Sequence, residues 1–160
     1  MHLIGDTPAE ISQMVQRLEG RTDISAIELG IPPKASAAVA LSLVQAAGIE
    51  LPVVAGVPLD RASEDWLPDL PAAGASAICI GAPRGALPTS RGSLASGRLY
   101  GPGLFPQALH AVQRLQRLPA PLIAGCGVYR LSDGQALLDA GAWAVQLDLA
   151  LWAIEATQSA

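Results

Sequence analysis

Asp6, Lys34, Asp60, Arg84 and Asp148 each follow closely on a stretch of strand-forming residues. In parallel α/β chains the groups that bind ligands gather at the carboxyl ends of the strands. These side chains would therefore crowd one rim as a mixed-charge site, or pair there with one another and with water. Glu28 stands inside the apolar run Ile24 to Ile31. A carboxylate in such a run needs a partner, which Lys34, Arg84 or a backbone group would supply. Cys126 closes a strand and reads as a small core residue or as a reactive thiol, although no base is identifiable beside it. Cys79, in mid-strand, reads as core. His2 and His110 lie far apart without metal-ligand spacing, and His110 falls on the outer face of a helix. There is no zinc, P-loop or catalytic-triad pattern, and Gly125-x-Gly127 is too short a signal for a dinucleotide site. The residues therefore assign no catalytic group and no metal ligand.

The elements that must position these groups alternate. Leu3-Ile4 is a strand stub stopped by Gly5. Thr7-Pro8-Ala9-Glu10 opens a helix with a capping residue, a proline in the first turn and a capping-box glutamate. Ile11, Met14, Val15 and Leu18 give that helix one apolar stripe. Strand Ile24 to Ile31 ends at Pro32-Pro33. An alanine-rich helix, Ala35 to Ala47, leads to strand Leu51 to Val57. Arg61 to Leu70 begins like a helix, but Pro68 and Pro71 allow only about a turn or two. Strand Ser76 to Ile80 follows Gly74. Arg84 to Gly103 reads as a long Gly/Ser/Pro-rich loop without periodicity, of the kind that is usually functional or mobile. The clearest unit runs from Tyr100 to Trp152: helix Phe105 to Leu118, strand Pro121 to Ala124, helix Ser132 to Ala140 and strand Trp143 to Leu147, one parallel βαβ unit with a helix leading in. A last helix is expected from Leu149 to about Thr157.

This alternation implies a parallel sheet with right-handed crossovers. A length of 160 residues fits one domain, 1–160. Hydrophobic residues make up 51%, aromatic residues 4% and charged residues 15%. Such a balance suits strands buried on both faces, or a chain that hides surface against another copy of itself. A net charge of -4 and a pI near 5.0 argue against nucleic acid or an anionic membrane as partner. The first residues lack a signal-peptide pattern and no apolar run is long enough to span a bilayer. With two widely spaced cysteines, a reducing cytoplasm is expected.

In order and spacing the chain resembles dihydroorotate dehydrogenase, the flavin-dependent (β/α)-barrel family. The similarity is carried by Leu3-Ile4-Gly5-Asp6-Thr7-Pro8, Ala26-Ile27-Glu28-Leu29, Ile80-Gly81-Ala82-Pro83-Arg84-Gly85, Tyr100-Gly101-Pro102-Gly103 and Ala140-Gly141-Ala142-Trp143-Ala144-Val145-Gln146. No one of these is specific; together they match the family's third to eighth strands. The resemblance implies an α/β fold, an incomplete (β/α)8 TIM-barrel-like arrangement of about six parallel strands with helices outside. A complete barrel has eight strands and about 250 residues.

The resemblance also implies where a flavin mononucleotide (FMN) would sit, and there the chain departs from the family. Gly30, Ala55 and Gly81 replace an asparagine, a lysine and another asparagine, and Pro32-Pro33 stands where a base is expected. Cys126-Gly127 and Asp148-Leu149 replace the turns that meet the coenzyme. Gly101 and Gly127 are the surviving matches to flavin-contacting turns, if they are not simply backbone turns. A carboxylate at Asp148 would repel a phosphate charge about 4 Å away by roughly 4 kcal/mol at an effective dielectric near 20. FMN is therefore implied by family resemblance only, and none is expected to bind in the family's way. An arc of six strands cannot readily close, so the exposed edges imply a homo-oligomer or a companion barrel subunit. The expected role is that of a degenerate, non-catalytic family member acting as an oligomeric or regulatory subunit. The alternative is an FMN-dependent oxidoreductase of pyrimidine synthesis, oxidising dihydroorotate to orotate with groups supplied by another subunit. A further possibility is a remnant with no function of its own, which would be poorly stable alone.

Overall fold

Each turn of the chain that carries a strand signal joins the same sheet. The computed structural model describes residues 1–48, 50–147 and 151. The elements are β1 (His2–Ile4), α1 (Pro8–Gln16), β2 (Ile27–Gly30), α2 (Ala37–Ala47), β3 (Val53–Pro58), β4 (Ala75–Gly81), β5 (Arg84–Pro88), β6 (Leu94–Arg98), α3 (Phe105–Leu115), β7 (Leu122–Gly125), α4 (Leu131–Asp139) and β8 (Ala144–Val145). Six strands form one sheet in the order β1-β2-β3-β4-β7-β8, and every pairing in it is parallel. The order never reverses, so the sheet winds in one direction, as in a (β/α) barrel and unlike a doubly wound fold. The chain is a partial barrel of the α/β class. The expected βαβ unit is present as β7-α4-β8. The expected final helix and Asp148 lie outside the described residues.

Helix starts follow the sequence closely. Thr7 caps α1: its hydroxyl accepts from the Glu10 amide at 3.3 Å, and Glu10 Oε2 accepts from the Thr7 and Asp6 amides at 3.2 and 2.9 Å. The Ser36 hydroxyl caps α2 by accepting from the Val39 amide at 3.4 Å. Asp133 accepts from the amides of Tyr129 and Arg130 at the start of α4.

One face of the sheet is dry. Leu3, Ile27, Leu29, Val53, Ala55, Val57, Ile78, Ile80, Leu122 and Ala124 are all buried, as are Ile11 and Val15 of α1, Leu43 and Val44 of α2, Val112 of α3 and Leu137 of α4. Strand side chains alternate between faces, so the intervening positions, Glu28, Gly30, Val54, Gly56, Cys79, Gly81, Ile123 and Gly125, form the opposite, concave face. Among the described residues β1 and β8 each pair on one side only. Ile4 on β1 is 59% exposed and Trp143, just before β8, is 75% exposed. Among the described residues no helix is long and apolar enough to cross a membrane.

One expectation is corrected and one is met. The stretch Arg84 to Gly103 is not a featureless loop: β5 and β6 pair antiparallel as a separate hairpin. Its residues are nearly all exposed, so neither strand needs an apolar alternation, and the pattern that marks a half-buried strand is missing. Between β3 and β4 the prolines allow only short 3₁₀ turns, Leu59–Arg61 and Leu67–Asp69. That connection is held by Arg61, which is 8% exposed. Its guanidinium donates to the carbonyls of Pro32 and Ala35 at 3.0 and 2.7 Å, pairs with Glu64 at 3.3 Å, and lies 5.2 Å from the Trp66 ring centre.

Candidate functional site

Small residues at the strand ends open a pocket on the concave face. Gly30 pairs in register with Gly56, Gly56 with Cys79, Pro58 with Gly81, and Gly81 with Gly125. A side chain at Gly30 would meet the His2 ring at 3.3 Å, and one at Gly56 would meet Glu28 Oε1 at 3.4 Å. His2 thus lies over Gly30, and the Glu28 carboxylate leans over Gly56 toward the middle of the sheet. His2 Nδ1 is 3.5 Å from Glu28 Oε1. The expectation that Lys34 or Arg84 pairs with Glu28 is therefore corrected. The partner is His2, its register neighbour on β1, and strand pairing, not nearness in sequence, brings the two together.

The resulting pocket has a volume of about 110 Å³ and lies across the carboxyl ends of β1 to β4. His2, Asp6 and Glu28 form one side. Arg84 and Arg98 form the other, and Pro32 and Pro33 a third wall. The two arginines face each other across the base of the hairpin, where Arg84 pairs in register with Arg98. The Arg84 amide donates to Asp60 Oδ1 at 3.3 Å, which ties the hairpin to the end of β3. Arg61 fixes the Pro32 wall from outside through its bond to the Pro32 carbonyl.

Of the charged rim residues expected from the sequence, Asp6 and Arg84 meet in this pocket and Asp60 anchors it. Lys34 lies outside it, in a shallow groove with Ser36 and Val39. Arg98 carried no recognisable signal, because only hairpin pairing returns it to Arg84. His110 is exposed on α3, as expected. Among the described residues no group of histidine, cysteine and acidic side chains forms a metal site.

Ala55 requires a second correction. It is fully buried on the helix-covered face, so a lysine there could not reach a coenzyme in the barrel interior. The concave neighbours are Val54 and Gly56.

The cysteines are both buried. Cys79 donates through its thiol to Gln146 Oε1 at 3.2 Å. Gly125 makes room for that bond, since a side chain there would stand 2.9 Å from the Cys79 sulfur. Burial, aided by the Glu28 charge and the neighbouring Cys126, pushes the Cys79 thiol up to about 12, and Arg98 opposes the shift. At neutral pH Cys79 is a protonated thiol and a poor nucleophile.

Gly101 and Gly127 both adopt positive φ, at 144° and 80°. Space beside Gly101 is open. A side chain at Gly127 would lie 2.7 Å from the Phe105 backbone, so the room left by this glycine is filled by the start of α3.

No family model matches the chain, and no curated protein matches it. Among solved structures it is similar to FabK from Thermotoga maritima, at 18% identity and a TM-score of 0.47, over 90% of this chain and 47% of that one. It is similar also to a mutant of the same FabK, at 19% identity and a TM-score of 0.46, over 90% of this chain and 50% of that one. The chain spans about half the length of these structures. Identities this low carry no statement about activity.

A flavin can be tested against the geometry. Pockets that hold cofactors enclose about 300–1,000 Å³, whereas this one offers about 110 Å³. The turn at Gly127 presents its close face to Phe105. The pocket at the ends of β1 to β4 is by itself smaller than such a cofactor needs.

Proposed function

We propose that the chain is a non-catalytic relative of the FMN-dependent barrel oxidoreductases, of the dihydroorotate dehydrogenase kind, that serves as one component of a larger barrel-type assembly. The observation that carries this reading is the size of the strand-end pocket, about 110 Å³, which is too small for a flavin. The replaced positions agree with it. Gly30 and Gly81 present no side chain to the pocket, and Pro32 and Pro33 offer no group to take a proton. Cys79 is held protonated.

The assembly part of the proposal rests on the two sheet ends. Among the described residues the outer sides of β1 and β8 are unpaired and flanked by Ile4 and Trp143, and such edges associate unless covered. A second copy of the chain or a companion barrel subunit would cover them.

The deciding experiment is a titration of the purified protein with FMN, followed by visible absorption and flavin fluorescence. On this reading the flavin signal stays that of the free coenzyme. Bound flavin together with orotate formation from dihydroorotate would establish the competing reading, in which a second subunit enlarges the pocket and completes an oxidoreductase.

A further inference from the structure

The strand-end pocket holds opposite charges that do not meet. The acidic side is built by β1 and β2 and the loop after β1, with Glu28 leaning in over Gly56 and Asp6 at the rim. The basic side is built by the hairpin base, where Arg84 and Arg98 stand opposite each other. Like charges in directly opposed hairpin positions destabilise the pairing, so an anion held between the two arginines would stabilise the hairpin base. Among the described residues the ion pairs are His2–Glu28, Arg21–Asp23 and Arg61–Glu64, and neither guanidinium takes part, although the Asp60 carboxylate accepts from the Arg84 backbone amide at 3.3 Å. The acidic and basic sides are separated by β3, whose Gly56 and Pro58 line the floor between them. Neighbouring strands are about 4.8 Å apart, so β2 and β4 stand about two such spacings from each other.

We propose that this pocket binds a small zwitterion of α-amino-acid size, its ammonium group received by Glu28 and Asp6 and its carboxylate by Arg84 and Arg98. Size and charge agree on this class. An enclosed cavity of about 150 Å³ accepts benzene, with six heavy atoms, so a space of about 110 Å³ accepts in proportion about four to five, the size of glycine. A plain anion would satisfy the arginines and leave Glu28 facing it with the same sign. A plain cation would leave the arginine pair uncompensated. A guanidinium fork suits a carboxylate through paired N–H donors. Space beside Gly81 is open, so the ligand enters over β4, next to the His2 and Glu28 side chains that stand over Gly30 and Gly56. This inference goes beyond the non-catalytic reading and is independent of assembly, since one chain supplies every group.

The test is isothermal titration calorimetry of the full chain with glycine, L-alanine and L-serine, and with propionate and L-alaninamide, which each keep one charge of alanine. L-Alanine or one of its two companions is expected to bind at least about tenfold more tightly than either one-charge analogue, as the loss of a charged hydrogen-bonding partner requires. Arg98→Gln and Arg84→Gln change exposed side chains, so the variants should fold, as circular dichroism will show, and each should weaken the binding by about tenfold or more. Glu28→Gln should do the same, while Arg117→Gln, an exposed position just beyond α3, should leave it unchanged. Absence of saturable heat with all three amino acids would overturn the proposal. So would equal affinity for propionate, which would mark a simple anion site, or wild-type binding by folded Arg98→Gln. None of these results depends on the flavin titration.

Discussion

The His2 imidazole lies 3.5 Å from the Glu28 carboxylate, the two side by side on adjacent parallel strands above Gly30 and Gly56. Both side chains are about a third exposed, 36% and 29%, so the pair contributes little to stability. Exposed pairs contribute about 0–1 kcal/mol. Glu28→Gln is expected to change the unfolding free energy by less than about 1 kcal/mol in urea denaturation, whatever it does to ligand binding. A much larger loss would mean that Glu28 has a structural role that this geometry does not give it.

Arg61 is a different case. Its charge is buried, and it ties the β3–β4 connection to the Pro32 and Ala35 carbonyls that form the pocket wall. Arg61→Ala removes two hydrogen bonds from a charged donor and leaves their carbonyls without it. A loss of about 3 kcal/mol is expected by chemical denaturation. Arg61→Lys should recover only part of it, because a single ammonium cannot span both carbonyls as the planar fork does.

The capping box of Thr7 and Glu10, the βαβ unit from β7 to β8 and the single direction of the sheet were all legible in the sequence. Their signals are local: a hydroxyl and a carboxylate three residues apart, or an apolar stripe at helical spacing. The hairpin was not legible, because an exposed pair of strands carries no alternation. The pocket followed the same division. Asp6, Glu28 and Arg84 could be picked out as charges at strand ends or in an apolar run, but their partners are set by sheet register. His2 reaches Glu28 through β1–β2 pairing, and Arg98 reaches Arg84 through β5–β6 pairing. Ala55 shows the same limit, since in the short strand Val53–Pro58 its face was fixed only by the helices packed on the other side.

Cys79 gives the pH dependence. Its folded value, about 12, lies above the ordinary 9.0. Between these two, the unfolded chain has lost the thiol proton and the folded chain keeps it. Stability is therefore complete below about pH 9 and falls as pH rises toward about 12. Denaturation curves taken across this range should show a steeper alkaline decline for wild type than for Cys79→Ala. Alkylation by iodoacetamide at neutral pH should be slow at Cys79 until the protein is unfolded, and fast reaction in the native state would contradict its burial.

The sheet edges predict association. Light scattering should give a mass above the 16.4 kDa of one chain, unless the partner is a different protein that the purified chain lacks. Where the purified chain self-associates, Ile4→Asp and Trp143→Asp should each shift the equilibrium toward monomer, because a charge would have to be buried in the contact. Both positions are exposed in the isolated chain, so neither change should lower its helix content.

The measurement closest to the central claim is the visible spectrum of the purified protein during titration with FMN. The expected spectrum is that of free FMN at every protein concentration, with no quenching of flavin fluorescence and no colour in the protein as isolated. A saturable shift of the flavin bands would contradict it, because a pocket of about 110 Å³, with His2 over Gly30 and Glu28 over Gly56, has no room for that ring.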